Sequence, residues 1–208
     1  MIPDMKTQLL WQGKFGGEYT DRNILPRPEM DKLYLSRYGI SRSELNRTFI
    51  GNLPKDIRIL EVGCGIGNQL LILQGMGFNK LYGIDIQPYT VELAKQYSKG
   101  INIIEASAFD IPFKDKYFDM VFTSGLLIHI PPELVEQVIA EILRCSNRYV
   151  WGYEYFSPDY VEVPYRGESG ALWKADFASM FNLKVIKQVY LPYLDCNNVD
   201  TMYLLEKR

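Results

Sequence analysis

Glu61, Gly63, Gly65 and Gly67 occupy alternate positions in a stretch that ends on Asp85, IRILEVGCGIGNQLLILQGMGFNKLYGID over residues 57–85. Glycines spaced in this way let the backbone turn tightly past Cys64 and Ile66 and lie against a ligand with no Cβ between them. Asn68 opens a helical pattern carried by Leu70, Leu71 and Leu73. The unpaired N–H groups of that helix start point at whatever rests on the loop. A carboxylate at Asp85 can accept both hydroxyls of a ribose. Together these residue types describe a site for a nucleoside.

Such a loop needs a strand on either side of it. Ile57, Ile59, Leu60 and Val62 form a short apolar run that suits a strand buried on both faces of a parallel sheet, and Leu81 to Ile84 forms a second. Strand, glycine loop, helix, strand and acid make a βαβ unit. A dinucleotide fingerprint needs its third glycine one place later, where Asn68 stands. Glu61, at the first strand's end, is awkward beside a pyrophosphate but suits a ligand that carries an ammonium and a sulfonium. A Gly-rich structural turn without a ligand is the alternative reading of the triplet.

The pattern Glu-x-Gly-x-Gly-x-Gly resembles the first motif of the class I methyltransferases that use S-adenosylmethionine, and Asp85 with Ile86 resembles their ribose acid and the apolar residue against adenine. EASAFDIPFKDKYFDMVFTSG, residues 105–125, resembles the family segment GDAxxLPFxDxxFDxV through Ile111, Pro112, Phe113, Phe118, Asp119 and Val121. The family's adenine-contacting Asp falls on Ser107, whose hydroxyl can still accept from an amino group while the Ala108 and Phe109 N–H groups donate to the ring. Ser124 and Gly125 follow the fourth strand, Met120 to Thr123, and emerge over the cofactor. Asp119 reads as structural. Trp11, Gly13, Phe15, Gly16, Tyr19, Arg22 and Asn23 resemble the opening of methyltransferases associated with pseudaminic acid biosynthesis, as do VPYRG and LWKADFA further on. That likeness places Tyr19 and Arg22 over the cofactor, with Arg22 as the partner of its carboxylate.

The fold expected is one Rossmann-like α/β domain over residues 1–208, with a seven-stranded, mostly parallel sheet in the order 3-2-1-4-5-7-6 and helices on both faces. Residues 1–51 form a lid and two helices, Glu29 to Tyr38 and Ser41 to Ile50, the second opened by a Ser41/Glu44 capping box. Residues 1–23 show no sustained period and read as a Gly-rich, aromatic lid or a solvated surface segment. Residues 55–208 form the core, with an irregular substrate loop at 156–173. Pro131 and Pro132 are expected to open the helix after the fourth strand.

A methyl sulfonium is a strong electrophile, so the protein's main task is to align a nucleophile and exclude water. For a hydroxyl acceptor, His129, the one histidine in the chain, is the best placed general base. A helix cap or a tyrosine's partner is its structural alternative. Glu154, Tyr155, Tyr165 and Arg166 are the substrate candidates; Arg166 suits the carboxylate of an acidic sugar, and Glu154 is a second candidate base. No metal is expected. The acceptor expected is a small molecule, such as a nucleotide sugar or a surface-polysaccharide sugar. A catalytically inactive S-adenosylmethionine-binding module and an NAD-dependent oxidoreductase are the rival functions.

The whole chain bounds these readings. Its 208 residues suffice for one α/β domain with a full core. With a formal net charge of -2, and lysines and arginines scattered along the sequence, it carries no nucleic-acid footprint. No apolar run is long enough to span a bilayer and the first residues do not read as a signal peptide, so a soluble cytoplasmic protein is expected. The three cysteines, Cys64, Cys145 and Cys196, lie far apart and suggest neither a disulfide framework nor a zinc site. The 15 tyrosines, many in loops, suggest a ligand surface of aromatic rings with polar tips.

Overall fold

The computed structural model describes residues 3–207, with side chains described from Lys6 onward except at Arg27. Strands β1 (Arg58–Val62), β2 (Lys80–Asp85), β3 (Asn102–Glu105), β4 (Phe118–Ser124) and β5 (Ser146–Tyr155) run parallel to one another. A two-stranded ribbon, β6 (Val161–Glu162) with β7 (Trp173–Lys174), stands apart from the sheet, and β8 (Lys184–Pro192) with β9 (Val199–Glu206) closes it as an antiparallel hairpin. The sheet order is β3-β2-β1-β4-β5-β9-β8. Counted within the sheet alone, β8 and β9 are its sixth and seventh strands, so the order is the expected 3-2-1-4-5-7-6.

Strand periodicity divides the core in two. Ile59, Met120, Phe122, Trp151, Tyr153, Met202 and Leu204 pack on one face, and Leu60, Val62, Val121, Val150, Tyr203 and Leu205 on the other. The first face is covered by α3 (Arg27–Tyr38), α4 (Arg42–Ile50), α5 (Asn68–Gly75) and α6 (Pro88–Tyr97), and the second by α7 (Val135–Cys145) and α8 (Phe177–Met180). Burial of each such side chain stabilises the fold by roughly 1.5–3 kcal/mol. Glu61 shares its parity with Ile59, so its carboxylate enters the first layer. The Ser41/Glu44 capping box is formed, with the Glu44 N–H donating to Ser41 Oγ at 3.1 Å and the Ser41 N–H to Glu44 at 3.1 Å. Asp119 accepts the Arg58 N–H at 2.8 Å, the structural role expected of it.

Three local expectations need correction. Residues 3–22 are helical, α1 (Pro3–Gln12) and α2 (Lys14–Arg22), although the segment is rich in glycine. Tertiary packing overrides propensity here: a Cβ at Gly16 would come within 1.8 Å of the Trp11 carbonyl oxygen, so glycine is what lets the two helices meet. Pro131 and Pro132 lie in a turn, and α7 starts at Val135. The 156–173 insertion is not wholly irregular, since β6 pairs with β7. No described helix is long and apolar enough to cross a membrane.

Candidate active site

The carboxyl ends of β1, β2, β4 and β5 open on a cavity of about 320 Å³. Gly65 sits at φ +54, and a Cβ there would meet nothing within 4 Å. Its lack of a side chain serves the turn and leaves the space above the loop to a ligand. Asp85 locks the loop from the side, with Oδ2 accepting the Gly65 N–H at 2.8 Å and Oδ1 the Gln87 N–H at 3.0 Å. Burial raises the pKa of Asp85, and these two N–H groups counter the rise.

Glu61 is 2% exposed and lines the cavity, and its Oε2 has no hydrogen-bond partner. Burial holds its pKa well above the usual carboxylate range, with Arg42 opposing the shift and Asp85 adding to it. A buried carboxylate oxygen without a partner is costly, and a cationic ligand group would supply what is missing. Arg42 is fully buried beneath the same wall. Its guanidinium donates to Asn46 Oδ1 at 3.0 Å, Tyr34 Oη at 2.9 Å and Ser124 Oγ at 3.2 Å, and lies 4.2 Å from the Tyr153 ring centre.

The N-terminal helices cover the cavity. Gln87 Nε2 donates to the carbonyls of Trp11, Gln12 and Gly13 at 3.0, 2.9 and 3.0 Å, gripping the C-terminal end of α1. Thr20 Oγ1 is hydrogen-bonded to Thr90 Oγ1, and Tyr89 Oη donates to Asp21 at 2.9 Å. Trp11 and Tyr19 pack edge-on with ring centres 5.3 Å apart, and both face His129, at 4.3 and 5.8 Å. Tyr19, Asn68, Ile86, Ser107, Ala108, Phe109, Ser124, Gly125 and Tyr155 all line the cavity with Gly63, Cys64 and Gly65, so the fold brings these predicted residues together.

His129 also lines the cavity, but its environment does not suit a base. The ring is buried, Nδ1 lies 2.8 Å from the Ala171 carbonyl, and Nε2 has no partner. A carbonyl only accepts, so Nδ1 carries the proton and Nε2 is left as a free acceptor. Burial lowers the pKa from 6.5 to about 4, which keeps the imidazole neutral near pH 7. Such a ring orients a donor better than it holds a proton.

Other assignments are corrected by position. Arg22 is exposed, reaches Glu18 at 3.9 Å and is not part of the cavity lining. Glu154 is fully buried and accepts the Leu126 and Ile128 N–H groups at 3.2 and 3.3 Å. It braces the loop after β4 and lies outside the lining, with burial raising its pKa to about 7. Tyr165 is outside as well, its ring 5.9 Å from His129 and 6.0 Å from Phe15, where it backs the wall. Arg166 is exposed on a turn at φ +52, away from the lining. The Phe109 N–H is engaged by Ser107 Oγ at 3.2 Å, so this pair forms a local turn before it meets any ring.

The lining also holds residues that the sequence reading did not assign to the site: Trp11, Gln87, Tyr34, Arg37 and Tyr153. Gln87, two places after Asp85, was the most findable, because a helix N-cap at the ribose acid has backbone and ligand on either side. Tyr153 follows the strand alternation from Trp151. Arg37 carried no local signal.

Comparison with known proteins agrees with this architecture. Residues 60–148 match the family model described as a methyltransferase domain. Sterol methyltransferase-like 2 of Botryococcus braunii is 29% identical over 131 residues, 60% of this chain and 32% of its own length. O-methyltransferase rstn1 of Aspergillus nomiae is 32% identical over 98 residues, 44% of each chain. The chain thus spans less than half the length of these two curated relatives. Among solved structures, the 1,6-didemethyltoxoflavin-N1-methyltransferase of Burkholderia thailandensis, with bound 1,6-didemethyltoxoflavin and S-adenosylhomocysteine, superposes with a TM-score of 0.74 at 13% identity, over 100% of this chain and 91% of that one. The chain therefore has the Rossmann-like fold of the class I methyltransferases, and its residues 60–148 carry their methyltransferase domain pattern.

Proposed function

We propose that this chain is an S-adenosylmethionine-dependent methyltransferase acting on a small-molecule acceptor in the cytoplasm, as one domain with residues 1–51 as its cover. The observation that carries the reading is the unpartnered, buried Oε2 of Glu61 beside a glycine loop locked by Asp85. A sulfonium and ammonium ligand places positive charge where this acid needs it, whereas a pyrophosphate would bring two negative charges to the same wall. The residues present fit the cofactor. Asp85 would hold the ribose hydroxyls, Ile86 and the 106–109 turn the adenine, and Gly63 to Gly65 with Glu61 the methionine end. When bound, it supplies an activated methyl group.

The chain's own residues do the rest. Trp11, Tyr19 and the helices that carry them exclude water from the site, with Gln87 holding them closed. His129 Nε2, as a neutral acceptor, takes a hydrogen bond from the acceptor's nucleophilic O–H or N–H and so orients its lone pair. Tyr155 offers a ring with a polar tip to a hydroxyl-rich molecule, beside the Tyr153 ring whose hydroxyl is held by Asp200, which supports a nucleotide sugar or another carbohydrate as the acceptor.

Release of S-adenosylhomocysteine tests the proposal directly. The purified chain is incubated with S-adenosylmethionine and a panel of nucleotide sugars, free sugars, phenols and sterols. Turnover above the acceptor-free rate with any of them is the expected result. Tight binding of the cofactor with no turnover on any member would favour the inactive binding module instead. Deleting residues 1–23 should weaken cofactor affinity by tenfold or more, and unchanged affinity would remove the cover from the account.

A further inference from the structure

We propose that the acceptor carries an anionic group, a carboxylate or a phosphate, and that the guanidinium of Arg37 anchors it at the end of the cavity farthest from the nucleoside. The proposal rests on the methyl-transfer reading, and its test is arranged so that the two can fail separately. Arg37 sits on the last turn of α3, half-buried in the cavity lining. Among the described residues it makes no ion pair within 4.0 Å. The acids of the lining are Glu61 and Asp85, both at the glycine loop.

The arginine is held by rings. Its guanidinium carbon lies 4.9 Å from the Tyr193 ring centre and 5.9 Å from that of Tyr38, and the Leu194 N–H donates to the Arg37 carbonyl at 2.9 Å. Behind those rings Asp200, 1% exposed, accepts the hydroxyls of Tyr38, Tyr153 and Tyr193 on Oδ2. The Oδ1 of Asp200 has no hydrogen-bond partner and its charge reaches Arg37 only from beyond ion-pair distance, so among the described residues the guanidinium fork makes no close pair with a carboxylate. A planar fork held by stacking is pre-organised for bidentate contact with a carboxylate or phosphate.

Position separates this cation from the cofactor. Asp85 ends β2, on one side of β1, while Tyr155 and Asp200, the strand residues beside Arg37, are paired across β5 and β9 on the other side. At about 4.8 Å per strand, β5 and β9 lie roughly 10–14 Å from β1. The adenosine occupies the opposite side, so Arg37 belongs to the acceptor.

The test follows the Arg37 side-chain Nε–H resonance by NMR in the full chain saturated with S-adenosylhomocysteine, assigned by its loss in Arg37→Gln. Inorganic phosphate and acetate are titrated in separate arms, with the exposed Arg148 as internal control. Saturable shifts at Arg37, at least fivefold larger than at Arg148, are expected, and the stronger arm identifies the anion chemistry. Arg37→Lys, which keeps the charge but not the fork, should retain saturation at several-fold weaker affinity when followed by the lysine Nζ resonance. Shifts no larger than those of Arg148 in both arms would overturn the proposal. So would a tenfold loss of S-adenosylhomocysteine affinity in Arg37→Gln, which would make the cofactor's carboxylate the partner. If S-adenosylhomocysteine does not bind the native chain at all, the methyl-transfer reading falls, and the anion arms run without it still judge the site.

Discussion

The two halves of the cavity are built in opposite ways. The nucleoside half comes from residues close together in sequence, Glu61 to Asn68 and Asp85 to Gln87, at the ends of two neighbouring parallel strands. The half proposed for the acceptor is assembled from α1, α2, α3 and β5, whose lining residues lie as far apart as Trp11 and Tyr155. Their charges differ as well, with buried Glu61 and half-buried Asp85 at the glycine loop and one arginine at the far end. A half made of one local motif reads out from spacing, because the turn, the helix start and the acid have to follow in order. A half made by tertiary assembly leaves no such trace.

This contrast explains which of the predicted residues the fold brings to the cavity. Gly63, Gly65, Asn68, Asp85 and Ile86 all line the cavity, as their spacing demanded. The arginines chosen from the sequence, Arg22 and Arg166, do not; Arg37 does, and nothing in its neighbourhood sets it apart from the other arginines. Fold order was legible because alternating apolar strands and helix starts are local signals. The helical state of residues 3–22 was not, because it depends on Gly16 meeting the Trp11 carbonyl and on the grip of Gln87. Glu154 deceived for a related reason: it lies near the carboxyl end of its strand, but its side chain faces the loop backbone it supports.

The largest expected effect joins the two halves. Arg42 stacks on the Tyr153 ring and its charge opposes the rise of the Glu61 pKa, and Arg42→Met should cost about 3–5 kcal/mol of stability, because it removes that charge and leaves Asn46, Tyr34 and Ser124 without their donor. Urea denaturation measures this. A loss under 1 kcal/mol would show the halves to be independent. Next comes Gly65→Ala, which forces a side chain into φ +54 and into the space left for the ligand. A stability loss of only about 1–2 kcal/mol is expected, with S-adenosylhomocysteine affinity reduced tenfold or more. A variant that binds normally would place the ligand elsewhere.

A pH series distinguishes the structural roles of His129 and Glu154. The folded-state pKa of His129, about 4, is below its ordinary 6.5, so the unfolded chain takes up a proton that the folded chain refuses, and this contribution to stability is lost as pH falls from 6.5 toward 4. The folded-state pKa of Glu154, about 7, is above its ordinary 4.5, so its contribution is lost as pH rises from 4.5 toward 7. Each is worth about 3 kcal/mol at most, and between pH 4.5 and 6.5 the two slopes oppose each other. The native chain should therefore show a flat profile there from this pair. His129→Gln should uncover a stability that falls with rising pH, as followed by thermal melts, and a profile that stays flat would contradict the burial argument.

The smallest effects belong to the exposed arginines. Arg22→Gln and Arg166→Gln should each change S-adenosylhomocysteine affinity by less than twofold and stability by less than about 0.5 kcal/mol. A tenfold loss in either would return that residue to the site and blur the contrast between the halves.

In the proposed function the buried acid at the end of β1, Glu61, receives a cationic nucleoside. Calorimetric titration of the native chain and of Glu61→Gln with S-adenosylmethionine, and with NAD as competitor, measures it most directly. Saturable binding of S-adenosylmethionine to the native chain, a loss of tenfold or more in Glu61→Gln, and no displacement by NAD are expected. Binding that survives in Glu61→Gln unchanged, or a site that prefers NAD, would contradict it.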